Sequence, residues 1–135
     1  VWEMAAFSGF LTGRDAAKYM TVRNEGSIFF TGATASMRGG SGFSAFASAK
    51  FALRAVSQSM ARELGPQGIH VAHFVIDGAI DTAFIKENFP DRYALKEKDG
   101  ILQPDAIADA YWFVHTQHRS AWTHELDLRP YMEKF

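Results

Sequence analysis

The chain has 135 residues, 47% of them hydrophobic and 14% aromatic, which is enough apolar surface for one buried core and gives no reason for a second domain. With 14 basic and 15 acidic residues the formal charge is −1, which excludes the broad positive field that nucleic acid or an acidic membrane surface requires. Cysteine is absent, and with it disulfide frameworks, thiolate nucleophiles and zinc–cysteine sites.

No apolar run approaches the about 20 residues of a membrane helix and no secretory leader opens the chain, so the expectation is a soluble, cytoplasmic protein. Residues 1–22 read as a helix with Trp2, Ala6, Phe10, Ala17 and Met20 toward one side, stopped by Asn24-Glu25-Gly26. Residues 28–31 form a short apolar strand of the kind buried on both faces of a parallel sheet. Gly39-Gly40-Ser41-Gly42 is loop, followed by a helix over 43–64 that ends at Gly65-Pro66. This helix has an apolar face of Phe46, Leu53, Val56, Met60 and Leu64, and a small face of Ala45, Ala49, Ala52 and Ala55 suited to close approach.

A second buried strand covers 69–76, and Asp77-Gly78 turns out of it toward a short helix from about Thr82 to before Pro90. Residues 91–100 are charged and without pattern, so a mobile loop is predicted. Pro104 suits the first turn of a helix running to His115, with Ile107, Ala108, Tyr111, Trp112 and Val114 inward. Residues 122–128 alternate with period two and read as a last, half-exposed strand. Strands and helices in alternation predict an α/β fold with a parallel three-stranded sheet and right-handed crossovers.

Within the second helix, Phe46 and Lys50 lie one turn apart on the same face. That pair, with Gly26-Ser27-Ile28-Phe29-Phe30-Thr31-Gly32, Ala61-Arg62-Glu63-Leu64-Gly65-Pro66-Gln67-Gly68-Ile69-His70-Val71 and Asp77-Gly78-Ala79-Ile80-Asp81-Thr82, resembles the short-chain dehydrogenase/reductase family over nearly the whole length. The resemblance implies a Rossmann-like sheet, an NAD or NADP cofactor, and a pocket between the loops over 32–41 and 77–82 at the strands' carboxyl ends. The family's N-terminal Gly-x-x-x-Gly-x-Gly phosphate loop has no counterpart here, since residues 39–42 follow no strand directly and open the wrong helix. The expectation is therefore residues 1–135 as the C-terminal portion of such a domain, lacking the dinucleotide-binding half, as a truncated frame or a deliberate piece.

By the same resemblance, Lys50 matches the lysine that bonds the nicotinamide ribose and lowers the pKa of a catalytic tyrosine. Phe46 takes the tyrosine's position, Ala33, 13 residues earlier, that of the substrate-holding serine, and Ala5 that of the asparagine of a water relay. Gly78, Ile80 and Thr82 fall in the nicotinamide-binding stretch, with Thr82 equally suited to cap a helix. Loss of a positioned acid/base is worth roughly 10²–10⁴-fold in rate, which implies hydride transfer crippled by the usual route. Ser36 and Thr34 could offer a hydroxyl from the loop bearing Ala33, and Asp77 could act as an acid or simply form its turn. Lys50 could equally snorkel or cap a loop carbonyl.

Other chemistries find less support. Gly40-Ser41-Gly42 lacks nucleophile-elbow spacing, because Phe43 stands where its second glycine should be. His115 and His118 sit at a helix end, His70 and His73 point to opposite faces of a strand, and no metal site is predicted. Two functions stay open: an NAD(P)-dependent oxidoreductase with an altered centre, or a non-catalytic module that assembles as a homo-oligomer through the helices over 1–22 and 43–64. The strand over 28–31 should also present an open edge that recruits partners.

Overall fold

The computed structural model describes residues 1–135. Its sheet has three strands in the order β1 (Gly26–Ala33), β2 (Ile69–Ile76), β3 (Glu125–Leu128), all parallel. Gly26 pairs with Ile69 and Ala33 with Ile76, while His73 pairs with Glu125 and Ile76 with Leu128. Every residue of β2 is buried, as its continuous apolar run predicts for a central strand covered on both faces. β1 is paired on one side only, so its outer edge is open.

The two faces of the sheet have separate cores. On one, Ile28, Phe30, Ile69 and Val71 meet Leu53, Met60 and Leu64 of α2 (Ser44–Leu64), with Ala16, Ala17 and Met20 of α1 (Ser8–Arg23) beside them. On the other, Ala72, Phe74 and Ile76 meet Leu102 and Val114, the latter from the helix over Pro104–His115. There Phe74 stacks on Tyr111 with ring centroids 3.7 Å apart, and the Tyr111 hydroxyl lies 2.6 Å from Thr31 Oγ1.

α1 is preceded by a wide turn over Glu3–Phe7, so the predicted helix over 1–22 is continuous in space but changes winding where the Ser8 hydroxyl donates to the Met4 carbonyl. It ends at Asn24, left-handed with φ 51°, whose N–H reaches the Met20 carbonyl. On the small face of α2, Ala45 and Ala55 are exposed and Ala49 is in the core. Within the chain the close approach is made by α1. A Cβ at Gly13 would stand 2.8 Å from Met60 Sδ and 2.9 Å from Phe30 Cζ, so only a glycine lets this helix lie so near β1.

Residues 91–100, read from the sequence as a mobile loop, are ordered. After α3 (Ala83–Asn88), Pro90 opens a single turn, α4 (Pro90–Tyr93), and a 3-10 segment continues over Ala94–Lys98. Lys96 pairs with Asp81 at 2.8 Å and both Lys86 and Lys96 lie over the Tyr93 ring, local contacts that carry no periodic signal. In α5 (Pro104–His115), Val114 is buried, but Ala108 and Trp112 face an open cleft and not the core. The last strand is shorter than its alternation suggests because Trp122 leaves the ladder to stack on His70, 4.5 Å between centroids, and Gln117 takes the Thr123 N–H.

Candidate functional site

The loops that leave β1 and β2 depart from the carboxyl ends of parallel strands, where open α/β sheets gather ligands. Between them lies a cavity of about 380 Å³ walled by Ala33, Thr34, Phe46, Ile76 and Gly78, with Arg38, Arg92 and Glu133 also on its lining. Phe46 is 38% exposed, so it stands at the margin of α2 and not within the apolar face assigned to it from sequence. One turn on, Lys50 holds its Nζ 5.8 Å from the Phe46 ring centroid and donates to the Thr31 carbonyl at 3.0 Å. Burial pushes the Lys50 ammonium toward its neutral form.

Lys50 also lines a second cavity, about 440 Å³, that runs along the open edge of β1 against Ala5, Gly9 and Thr12. The structure thus brings Ala33, Phe46 and Gly78 to one pocket and Ala5 to the next, with Lys50 within reach of both. Ile80 does not join them. It bridges to Leu102 and lines the cleft beside Phe29, Tyr111 and Trp112. Thr82 caps α3, its Oγ1 accepting the Ile85 N–H at 3.3 Å.

The three residues considered as substitute acids or hydroxyls are already engaged. Thr34 donates to Asp77 Oδ1 at 2.5 Å, and Asp77, only 4% exposed, is paired with Arg129 Nε at 3.1 Å. Ser36 is fully buried and accepts the Ala33 N–H at 3.0 Å. Asp77 therefore does more than turn the chain: through Arg129, whose guanidinium lies 3.8 Å over the Phe135 ring, it moors the C-terminal segment beside the pocket. No periodicity in the sequence could pair Asp77 with a residue 52 positions later.

A second polar group lies on the sheet where β3 begins. Arg54 of α2 grips Glu125 of β3 through Nε and Nη2, both at 2.8 Å, and Glu125 also receives His73 Nδ1 at 3.0 Å. The Arg54 bonds hold the Glu125 carboxyl below its ordinary range, and His73, fully buried, is held below the ordinary histidine value by burial, which Glu125 opposes. The sequence marked His73 only as facing away from His70, which it does.

Comparison with known proteins agrees with this geometry. Residues 1–93 match the family model for short chain dehydrogenase. A short-chain dehydrogenase from Rhodopseudomonas palustris is 52% identical, with a TM-score of 0.75 over 96% of this chain and 50% of its own. The fold is also that of a 7 alpha-hydroxysteroid dehydrogenase solved with NADH and 7-oxo glycochenodeoxycholic acid, 24% identical, TM-score 0.82, over 96% of this chain and 53% of the other. A (21S)-21-acetoxyl-apo-melianone synthase SDR of Melia azedarach is 31% identical over 110 residues, which are 76% of this chain and 40% of the plant protein. The chain spans about half the length of these relatives. A parallel sheet with a cavity at the strands' carboxyl ends and a family match over residues 1–93 lead to one assignment: the chain belongs to the short-chain dehydrogenase family.

Proposed function

We propose that this chain is part of an NAD(P)-dependent oxidoreductase in which Lys50 survives as a cofactor-binding residue while Phe46, Ala33 and Ala5 have replaced the groups that move protons. The observation that carries this reading is the state of Lys50. Its ammonium has three protons and makes one hydrogen bond, to Thr31, so two donors remain for the groove along β1. That donor set fits the vicinal hydroxyls of a nicotinamide ribose. Gly78, with φ 144° and a Cβ position 3.0 Å from Pro130 Cδ, fits a loop whose backbone must stay close to its neighbours, and Ile80 and Thr82 extend the same segment. A bound dinucleotide, NAD or NADP, would supply the hydride.

This chain's own side chains can orient such a ligand but not protonate its partner. Phe46 has no ionisable group, and Thr34, Ser36 and Asp77 are tied to one another, to Arg129 or to the backbone. The test is calorimetric titration with NADH and with NADPH to millimolar concentration, on the chain and on Lys50→Ala. Binding that is lost in the variant supports the reading; no binding by the unaltered chain to either nucleotide overturns the role given to Lys50 in this chain, which then stands as a structural or truncated piece.

A second reading, assembly without catalysis, is favoured by one surface. Trp2, Met4 and Phe7 are 52%, 84% and 55% exposed, and Phe43 and Phe51 of the neighbouring α2 segment are 59% and 42% exposed. Trp2 Nε1 donates to Ser48 Oγ at 3.1 Å, joining the two helices over 1–22 and 43–64 into one face. In this reading the face pairs with its copy in a homo-oligomer. Sedimentation showing a monomer at tens of micromolar would remove it.

A further inference from the structure

The 380 Å³ cavity at the strand ends combines an apolar wall with an unbalanced charge. Phe43 and Phe46, three residues apart at the start of α2, both line it and are 59% and 38% exposed, so their rings keep surface that a ligand could cover. Two arginines share the lining. Arg92 reaches Glu133 through Nη1 at 3.4 Å, a long contact, with half of its side chain exposed. Arg38 is exposed and its guanidinium takes part in none of the chain's ion pairs or side-chain hydrogen bonds. Asp77, which follows β2, does not offset them, because its carboxylate is held by Thr34 and Arg129. Two guanidinium groups against the one carboxylate of Glu133 leave the lining with a single net positive charge.

We infer that this cavity takes a small monoanionic acid, a carboxylate on an aromatic or branched apolar body, with the carboxylate drawn to Arg38 and the body laid against Phe43 and Phe46. As a substrate class this rests on the oxidoreductase reading above; as a binding site it uses residues of this chain alone and needs no nucleotide. A guanidinium presents a planar fork of donors that matches a carboxylate in two parallel bonds. A neutral ligand leaves that fork to water, and a dianion exceeds the single net charge. The volume lies near the lower end of the range of about 300–1,000 Å³ that small-molecule sites occupy, which sets the size of the acid. Glu133 weakens the site, because it competes for Arg92 and adds a negative charge to the lining.

The experiment titrates the 15N-labelled full chain with 4-phenylbutyrate, without nucleotide, and follows the amides of Gly40 and Gly78 on the cavity, with the indole of Trp112 on the separate apolar cleft as control. The uncharged 4-phenylbutyramide and inorganic phosphate are run beside it. The acid should move both glycines and leave Trp112 unmoved, and should bind about fivefold tighter than the amide, the scale of one partly exposed ion pair. Its affinity should fall as salt is raised, while that of the amide holds. Phosphate, which has no apolar body, should move nothing. Arg38→Gln should bring the acid down to the affinity of the amide and leave the amide unchanged. Glu133→Gln should tighten the acid by about twofold to fivefold, a gain that no loosening of the fold imitates. Equal affinity for acid and amide, phosphate matching the acid, shifts centred on Trp112, or an acid indifferent to both substitutions overturns the inference. With no nucleotide present, a failure here leaves the role of Lys50 standing, and a failure of nucleotide binding leaves this result readable.

Discussion

Phe46→Tyr puts a phenol back beside Lys50, and the size of its perturbation can be worked from the distance between them. The ammonium lies 5.8 Å from the Phe46 ring centroid. At roughly that separation a phenolate and an ammonium interact by about 0.7 kcal/mol in a water-like medium and about 2.9 kcal/mol at the effective dielectric of a protein surface. Since about 1.4 kcal/mol is one pKa unit, the introduced tyrosine should ionise about half a unit to two units below its usual value near 10. The ring is partly exposed, which favours the smaller shift. Burial lowers the Lys50 ionisation and the ammonium interacts with the introduced phenol, so the two steps belong to the pair and must be separated by a second variant. The assay is an ultraviolet difference titration, Phe46→Tyr minus the unaltered chain, which cancels the four native tyrosines. Repeated in a Lys50→Met background, the shift should vanish. A phenol that ionises at 10 or above with Lys50 in place, or one that is unmoved by Lys50→Met, would refute the idea that the ammonium is held where it can act on position 46.

Gly13→Ala should destabilise despite gaining about 1 kcal/mol of helix propensity, because the new methyl meets Met60 Sδ and Phe30 Cζ at 2.8 and 2.9 Å and overpacking costs about 1–3 kcal/mol; a higher urea midpoint would contradict this. Arg129→Met should destabilise the chain by leaving the buried Asp77 carboxylate without its cation, with most of the loss recovered when Asp77→Asn is added; equal urea midpoints for the single and double variants would refute it. Stability should also fall on acidification in two stages. His73, faced by Arg54 from α2, by Glu125 from β3 and by His124 just before that strand, has a folded pKa below its unfolded value of about 6.5, so its neutral form's contribution is complete above that pH and erodes below it. Glu125, likewise depressed, contributes fully above about 4.3 and is lost as pH drops through its folded value. Urea midpoints between pH 8 and 3 check both, and His73→Phe should abolish the first stage alone.

What the sequence made legible were the features that repeat. β2 was readable to the residue because a central parallel strand needs apolar side chains on both faces, and α2 because its apolar residues recur every turn. The positions of Lys50, Phe46 and Ala33 were marked by motif spacing; Ala33 and Phe46 line the cavity at the strand ends, and Lys50 lines the groove along β1. What stayed hidden was non-periodic and long-range. Asp77 looked like a turn former because Asp-Gly usually is one, yet its carboxylate is an ion-pair hub. Ser36 looked like a loop hydroxyl, yet it is sealed under the sheet. Residues 91–100 had no pattern because their order comes from lysines lying over Tyr93 and pairing with Asp81.

The open edge of β1 separates the two functional readings. Ile28 and Phe30 are 7% and 6% exposed, so one face of the strand is covered while its outer row of backbone groups is unpaired. That row borders the groove holding Ala5 and Lys50. A strand added there would pair those groups and narrow the groove around the ammonium, so edge pairing and the Lys50 site are coupled. Assembly through the exposed faces of the helices over 1–22 and 43–64 would leave the row untouched. Amide exchange tells them apart: in a helix-face oligomer alternate β1 amides exchange as freely as in the monomer, whereas strand addition protects them in proportion to the fraction assembled. Protection that rises with concentration would place the contact at the edge and predict a Lys50 still less readily protonated in the assembly. Fast exchange at every concentration, together with a sedimenting dimer, would place it on the helices and leave the groove open to a ligand.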